Sequence, residues 1–61
     1  MKEKATVYLA GCSPKIFIGD HVTLATHESM PIMDVRVDGL AVLSFHISVF
    51  QYVEWEDTEN D

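Results

Sequence analysis

The side chains with the most chemical reach in this sequence are one cysteine, Cys12, and three histidines, His21, His27 and His46. A cysteine nucleophile needs a base within hydrogen-bond reach and a further group to orient that base. Cys12 has Ser13 beside it and Lys15 just beyond, but no histidine is its neighbour in sequence. A chain of 61 residues also leaves little room for a substrate pocket of about 300 Å3 or more. The reading is that the chain is not an enzyme. A structural zinc site takes four Cys or His ligands at local spacings such as C-x2-C. The four candidates are scattered, so neither a metal nor any other cofactor is expected. A lone cysteine cannot close an internal disulfide and fits a reducing, cytoplasmic setting. Cys12 then reads as a small, buried or half-buried apolar turn residue.

Charge is the next signal. Ten acidic residues stand against four basic ones, for a net charge of −6. Glu54, Glu56, Asp57, Glu59 and Asp61 crowd the C-terminal end, while Lys2, Lys4 and Lys15 lie near the front. Nucleic-acid binding draws on Lys and Arg to displace counterions from phosphates. With Arg36 the only arginine, no direct DNA or RNA binding is expected. Residues 57–61 read as a frayed, solubilising acidic tail, or else as a contact for a basic partner.

Leu9-Ala10-Gly11-Cys12 matches the lipobox of bacterial lipoproteins. A working signal needs an apolar stretch of about 7–15 residues ahead of it. Only Ala5 to Ala10 are available, with Thr6 and Tyr8 among them and Glu3 in front. The match reads as chance: Ala5–Ala10 is the first strand and Gly11–Pro14 the turn after it. No stretch approaches the ~20 apolar residues of a membrane-spanning helix, and no membrane association is expected.

The elements that would position these residues are strands. Residues 4–10 alternate, with Val7 and Leu9 opposite Thr6 and Tyr8. Lys15-Ile16-Phe17-Ile18 is a short apolar run broken by Gly19-Asp20, and His21 to Thr26 alternates again. Residues 27–31 (HESMP) form the longest polar interruption and read as a loop. Residues 32–37 put Met33, Val35 and Val37 on one face, Asp34 and Arg36 on the other. Asp38-Gly39 follows directly and predicts a type I′ hairpin turn, because both central residues need positive φ. Leu40 to Phe45 is apolar on both faces, which predicts burial on both sides, inside a closed barrel or at an interface. His46–Ser48 reads as a bend or one 3₁₀ turn. Residues 49–55 form the last strand, with Val49, Gln51, Val53 and Trp55 on one face and Phe50, Tyr52 and Glu54 on the other. The spacing Val49, Tyr52, Val53, Glu56 also fits a helical face.

These elements predict one all-β domain over residues 1–56, a small five-stranded SH3-like barrel whose closure would remove exposed strand edges. Phe17-Ile18-Gly19-Asp20-His21-Val22-Thr23-Leu24, followed by Met30-Pro31-Ile32-Met33-Asp34-Val35, resembles the YodC-like small bacterial proteins. Their F-x-x-G-D-x-V-x-L opening precedes a short glycine-rich loop, a proline and an M-x-V strand. His27-Glu28-Ser29-Met30 stands where that family prefers glycines, and its W-[FY] pair after the hairpin is missing here. The resemblance implies a small barrel with no established activity.

The function read from the sequence is binding. A chain this short buries only about 60% of its unfolded surface, yet 48% of its residues are apolar. Apolar surface in excess of a small core is available to a partner, either another protein or a second copy. The candidate contact residues are Phe50, Tyr52, Glu54, Trp55, Glu56 and Asp57, with His27 and Glu28 in the loop. Which face of the last strand points outward stays open, because a one-residue slip exchanges the two sets. The alternative is a small acidic inhibitor of bacterial or phage mobile-element type. It would place carboxylates, Asp34 and Asp38 included, where phosphates lie on a host nuclease or defence complex.

Overall fold

The computed structural model describes residues 2–57; residues 58–61, most of the expected tail, lie outside the described part. Six strands follow one another: β1 (Glu3–Leu9), β2 (Lys15–Gly19), β3 (Val22–Thr26), β4 (Ile32–Val37), β5 (Leu40–His46) and β6 (Phe50–Asp57). A single 3₁₀ turn, Ile47–Val49, joins β5 to β6. No helical face forms over residues 48–56, and Asp57 belongs to β6 rather than to the tail. The strands make two three-stranded antiparallel sheets, ordered β2-β1-β6 and β3-β4-β5. All-β is therefore the class. The sheets do not close into a five-stranded barrel: there are six strands, and β2, β6, β3 and β5 remain sheet edges.

The inner faces follow from the pairing, because directly opposed residues share a face. In the first sheet Ala5 opposes Phe17 and Trp55, and Val7 opposes Val53. In the second, Val22 opposes Val37, while Val35 opposes Leu24 and Leu43. Among the described residues Ala5, Val7, Leu9, Val22 and Val35 are the buried apolar residues, with Phe17, Leu24, Val37, Leu43, Phe45, Val49, Phe50 and Val53 packed around them.

Two bulges decide which side chains join it. Tyr8 opposes Tyr52 but Leu9 opposes Phe50, so Gln51 is an extra residue in β6. Strict alternation would put Phe50 and Tyr52 on one face. The bulge instead turns Phe50 inward beside Leu9 and leaves Tyr52 outside. In β5, Val35 opposes Leu43 while Arg36 opposes Ala41, which makes Val42 the extra residue. Leu43 and Phe45 point inward, but Leu40 is 72% and Val42 51% exposed. Within the chain this strand is therefore not buried on both sides, as a closed barrel would have it. β5 pairs with β4 alone, and no neighbour covers its second edge or its outward side chains.

The joints are tight. Asp38 (φ 52°) and Gly39 (φ 86°) both take positive φ, as the predicted hairpin turn requires. The Asp38 side chain accepts from the His21 backbone N–H at 2.9 Å, and the Asp38 N–H donates to the His21 carbonyl at 2.8 Å. The hairpin is thereby fastened to the Gly19–His21 bend between β2 and β3. Gly19 is buried there, and a Cβ on it would lie 2.5 Å from Val37 Cγ1 and 3.1 Å from Asp38 Oδ2. Gly19→Ala is expected to cost about 1–3 kcal/mol by overpacking this joint. Chemical denaturation monitored by circular dichroism checks it, and an unchanged midpoint would remove the joint from the account of stability.

Candidate functional site

The outward face of the β2-β1-β6 sheet is built in cross-strand rows. One row is Ile18, Lys4 and Glu56; the next is Ile16, Thr6 and Glu54; Tyr8 and Tyr52 form the third. Ile16 (57%), Ile18 (54%) and Tyr52 (49%) are half exposed on this face. The Tyr8 and Tyr52 rings stack at a centroid distance of 4.4 Å with 10° between their planes. The Tyr8 hydroxyl donates to Glu54 Oε1 at 3.0 Å, which keeps the rings flat against the sheet. Lys4 Nζ lies 3.7 Å from Glu56 Oε1. The face runs from an apolar edge on β2, across an aromatic pair, to an acidic edge on β6.

The hydrogen bond to Glu54 is the main reason that the Tyr8 phenol is pushed up to about 12; burial and the nearby carboxylate charge act the same way. Each disfavours the phenolate.

Trp55 belongs to the other face of β6. It opposes Ala5, and Asp57 opposes Glu3, on the row that leads into the core. The indole is nonetheless half exposed beside an open cavity of about 350 Å3 lined by Glu3, Val22, Trp55, Glu56 and Asp57. Glu3 Oε1 accepts from the Val22 backbone N–H at 2.9 Å, which ties the start of β1 to the start of β3.

A third cluster lies on the outer face of the other sheet, and sequence reasoning missed it. Asp34 is only 6% exposed. Ser44 Oγ donates to its Oδ1 at 2.7 Å, His27 Nε2 lies 3.0 Å from Oδ2, and Arg36 Nη2 lies 3.6 Å from Oδ2. An ionised carboxylate only accepts, so His27 Nε2 carries the proton in that bond. Asp34 is held below the ordinary carboxylate range, chiefly by the Ser44 hydroxyl, then by the His27 hydrogen bond and charge and by Arg36, against the opposing effect of burial. The residue types match a hydrolytic triad, but the connectivity does not. There the imidazole stands between hydroxyl and carboxylate; here the carboxylate stands between hydroxyl and imidazole. The serine proton goes to the carboxylate, and the group works as a clasp from the loop after β3 across β4 to β5. One signal could have suggested it: Asp34 sits mid-strand, seven positions after His27.

The expected contact residues are therefore divided. Tyr52, Glu54 and Glu56 share the outward face of β6, while Trp55 and Asp57 line the cavity at its end. Phe50 is withdrawn into the core, where its ring stacks on Phe45 at 6.1 Å. His27 is engaged by Asp34 in the other sheet, and its neighbour Glu28 is exposed in the loop. Ile16, Ile18 and Tyr8 were not among the expected contacts, because their alignment with Tyr52 depends on the β1 pairings. Cys12 is exposed in the turn after β1, contrary to the expected burial. No helix among the described residues is long and apolar enough to cross a membrane.

Two titrations test these contacts. Tyr8 holds its proton more tightly in the folded state, so its stabilising contribution is complete below the ordinary value of 10 and is lost as pH rises towards 12. Glu54→Ala should bring the ionisation of Tyr8 back towards 10, followed by its NMR ring signals. Asp34, with its pKa lowered, stabilises the fold above the ordinary value of 3.8 and loses that contribution as pH falls through the lowered one. Asp34→Asn should therefore be less stable than the wild type at neutral pH, with the difference narrowing in acid; a constant difference across denaturation midpoints at several pH values would contradict this. Comparison with protein-family models, with curated proteins and with solved structures finds no match for this chain.

Proposed function

We propose that this chain is a small protein-binding module whose contact surface is the outward face of the β2-β1-β6 sheet. The observation that carries the reading is the exposure of Ile16, Ile18 and Tyr52 together on one sheet face. Single exposed apolar residues are ordinary, but several large ones on one sheet face offer apolar area of the kind that protein association covers. Tyrosine adds large contact area at low entropic cost. Glu54 and Glu56 border the face, so its complement is an apolar surface with basic groups at one margin. A second copy of the chain is one candidate partner and another protein is the other.

The chain order supports an SH3-like reading of the fold. β2 and β3 act as two arms of one strand bent at Gly19-Asp20, and a 3₁₀ turn leads into the last strand. The same bend carries the resemblance to YodC-like proteins, which implies no activity of its own. An acidic inhibitor of nucleic-acid-binding proteins would draw on Asp34, and that carboxylate is enclosed by His27, Ser44 and Arg36. This placement favours the binding-module reading.

Ile16→Lys/Ile18→Lys tests the face without touching the core, and lysine is well tolerated on edge strands. Light scattering at micromolar concentration and affinity capture from the native host are the two readouts. The expected result is a dimer or a captured partner for the wild type, reduced tenfold or more in the variant, with an unchanged thermal melt. Retention of that association by the variant, or a wild type that is monomeric and captures nothing, would sink the proposal.

A further inference from the structure

We infer that the cavity beside Trp55 receives a cationic side chain, the ammonium of a lysine or the guanidinium of an arginine, from the bound partner. This rests on the binding-module reading and specifies the partner's chemistry at one point. Carboxylates alone at this end of the sheet would be a solvated edge. What distinguishes the place is a half-exposed indole standing at an open cavity of about 350 Å3, with three acids among its five lining residues. An indole face attracts a cation through its quadrupole, and it does so most strongly where water is partly excluded. Trp55 and Val22 supply apolar walls for an aliphatic stem, while Asp57 and the second oxygen of Glu3 supply acceptors for its charged head, with Glu56 already shared with Lys4.

The walls are set before anything binds. Glu3 is pinned by its hydrogen bond from the Val22 N–H, and the Trp55 backbone is held in the β1–β6 ladder opposite the small residue Ala5. Asp57 forms no ion pair among the described residues. Glu56 is paired with Lys4; an anion would still be repelled, and a neutral apolar group would leave the Asp57 carboxylate facing it without a counter-charge. Glu56 belongs both to the cavity and to the outward row with Lys4 and Ile18, so a partner lying on the sheet face has a direct path for one basic side chain into it.

Trp55 is the only tryptophan, so its emission reports on this cavity alone. The full-length chain is titrated with acetylated, amidated Gly-Arg-Gly and Gly-Lys-Gly, and with Gly-Gln-Gly as the neutral control. The expected result is a saturable change in emission with at least one cationic peptide, weakened by salt, and absent with the glutamine peptide. Asp57→Asn should weaken the response threefold or more while keeping the wild-type melt and the Val22 amide position by NMR. Equal responses to the neutral peptide, no saturable response to either cation, or an unaffected Asp57→Asn variant would each overturn the inference. If these titrations fail while association through Ile16 and Ile18 persists, the cavity is removed from the account and the sheet face remains. Saturable cation binding without any Ile16- and Ile18-dependent association would instead remove the sheet face.

Discussion

Gly19 lies where β2 turns into β3, in a space that Val37 and Asp38 leave too small for a side chain. The absence of a Cβ lets the Asp38-Gly39 turn close over the bend, and two hydrogen bonds between His21 and Asp38 then hold it. This contact joins the two sheets at one end, and the Glu3 carboxylate on Val22 N–H joins them again close by. Among the described residues the core between them has only five buried apolar residues, too few to fix the sheet angle by packing alone in a chain where stability is marginal. Position and orientation of both outer faces, and of the Trp55 cavity at the Glu3 end, depend on these polar ties.

The strands were legible because their signals are local. Alternation marks β1, β3 and β4, Asp38-Gly39 marks a turn that only positive φ can make, and Gly19-Asp20 marks a bend. The bulges were not legible. An extra residue at Gln51 or Val42 leaves no trace in a period-two pattern, because it is defined by the partner strand and not by its own sequence. Without the bulge at Gln51, Phe50 and Tyr52 share a face; with it, one is core and the other surface. The Asp34 clasp was hidden for a related reason. A carboxylate on the polar side of an alternating strand reads as solvated, and only tertiary contacts bring His27 and Ser44 over it.

Much of the candidate surface was legible only in part. The apolar excess pointed to a surface shared with a partner, and β6 supplied Tyr52, Glu54 and Glu56 to it. Its other half comes from β2 and β1, whose cross-strand register no single segment encodes. Placing Ile16, Ile18 and Tyr8 beside Tyr52 requires knowing that β1 lies between β2 and β6.

Strands that are apolar on both sides carry the rest of the argument. In a two-sheet molecule such a strand can bury one row against the core, and the other row needs a separate cover. Phe17 of β2 faces the core while Ile16 and Ile18 face away; Leu43 and Phe45 of β5 face the core, while Val42 at the bulge and Leu40, opposite Val37 at the strand's start, stay exposed. Both are edge strands, the positions where natural sheets place charges against unwanted pairing. Lys15 is the only charged residue in β2, and β5 has no lysine, arginine, aspartate or glutamate at all. A chain with a net charge of −6 has charge available and has placed little of it on these strands. Apolar rows kept uncharged at two edges are what a surface adapted to contact requires, and β2 alone combines such a row with an aromatic pair and an acidic margin on the same face. For that reason the β2-β1-β6 face, rather than the β5 edge, is the surface to which the binding role is assigned.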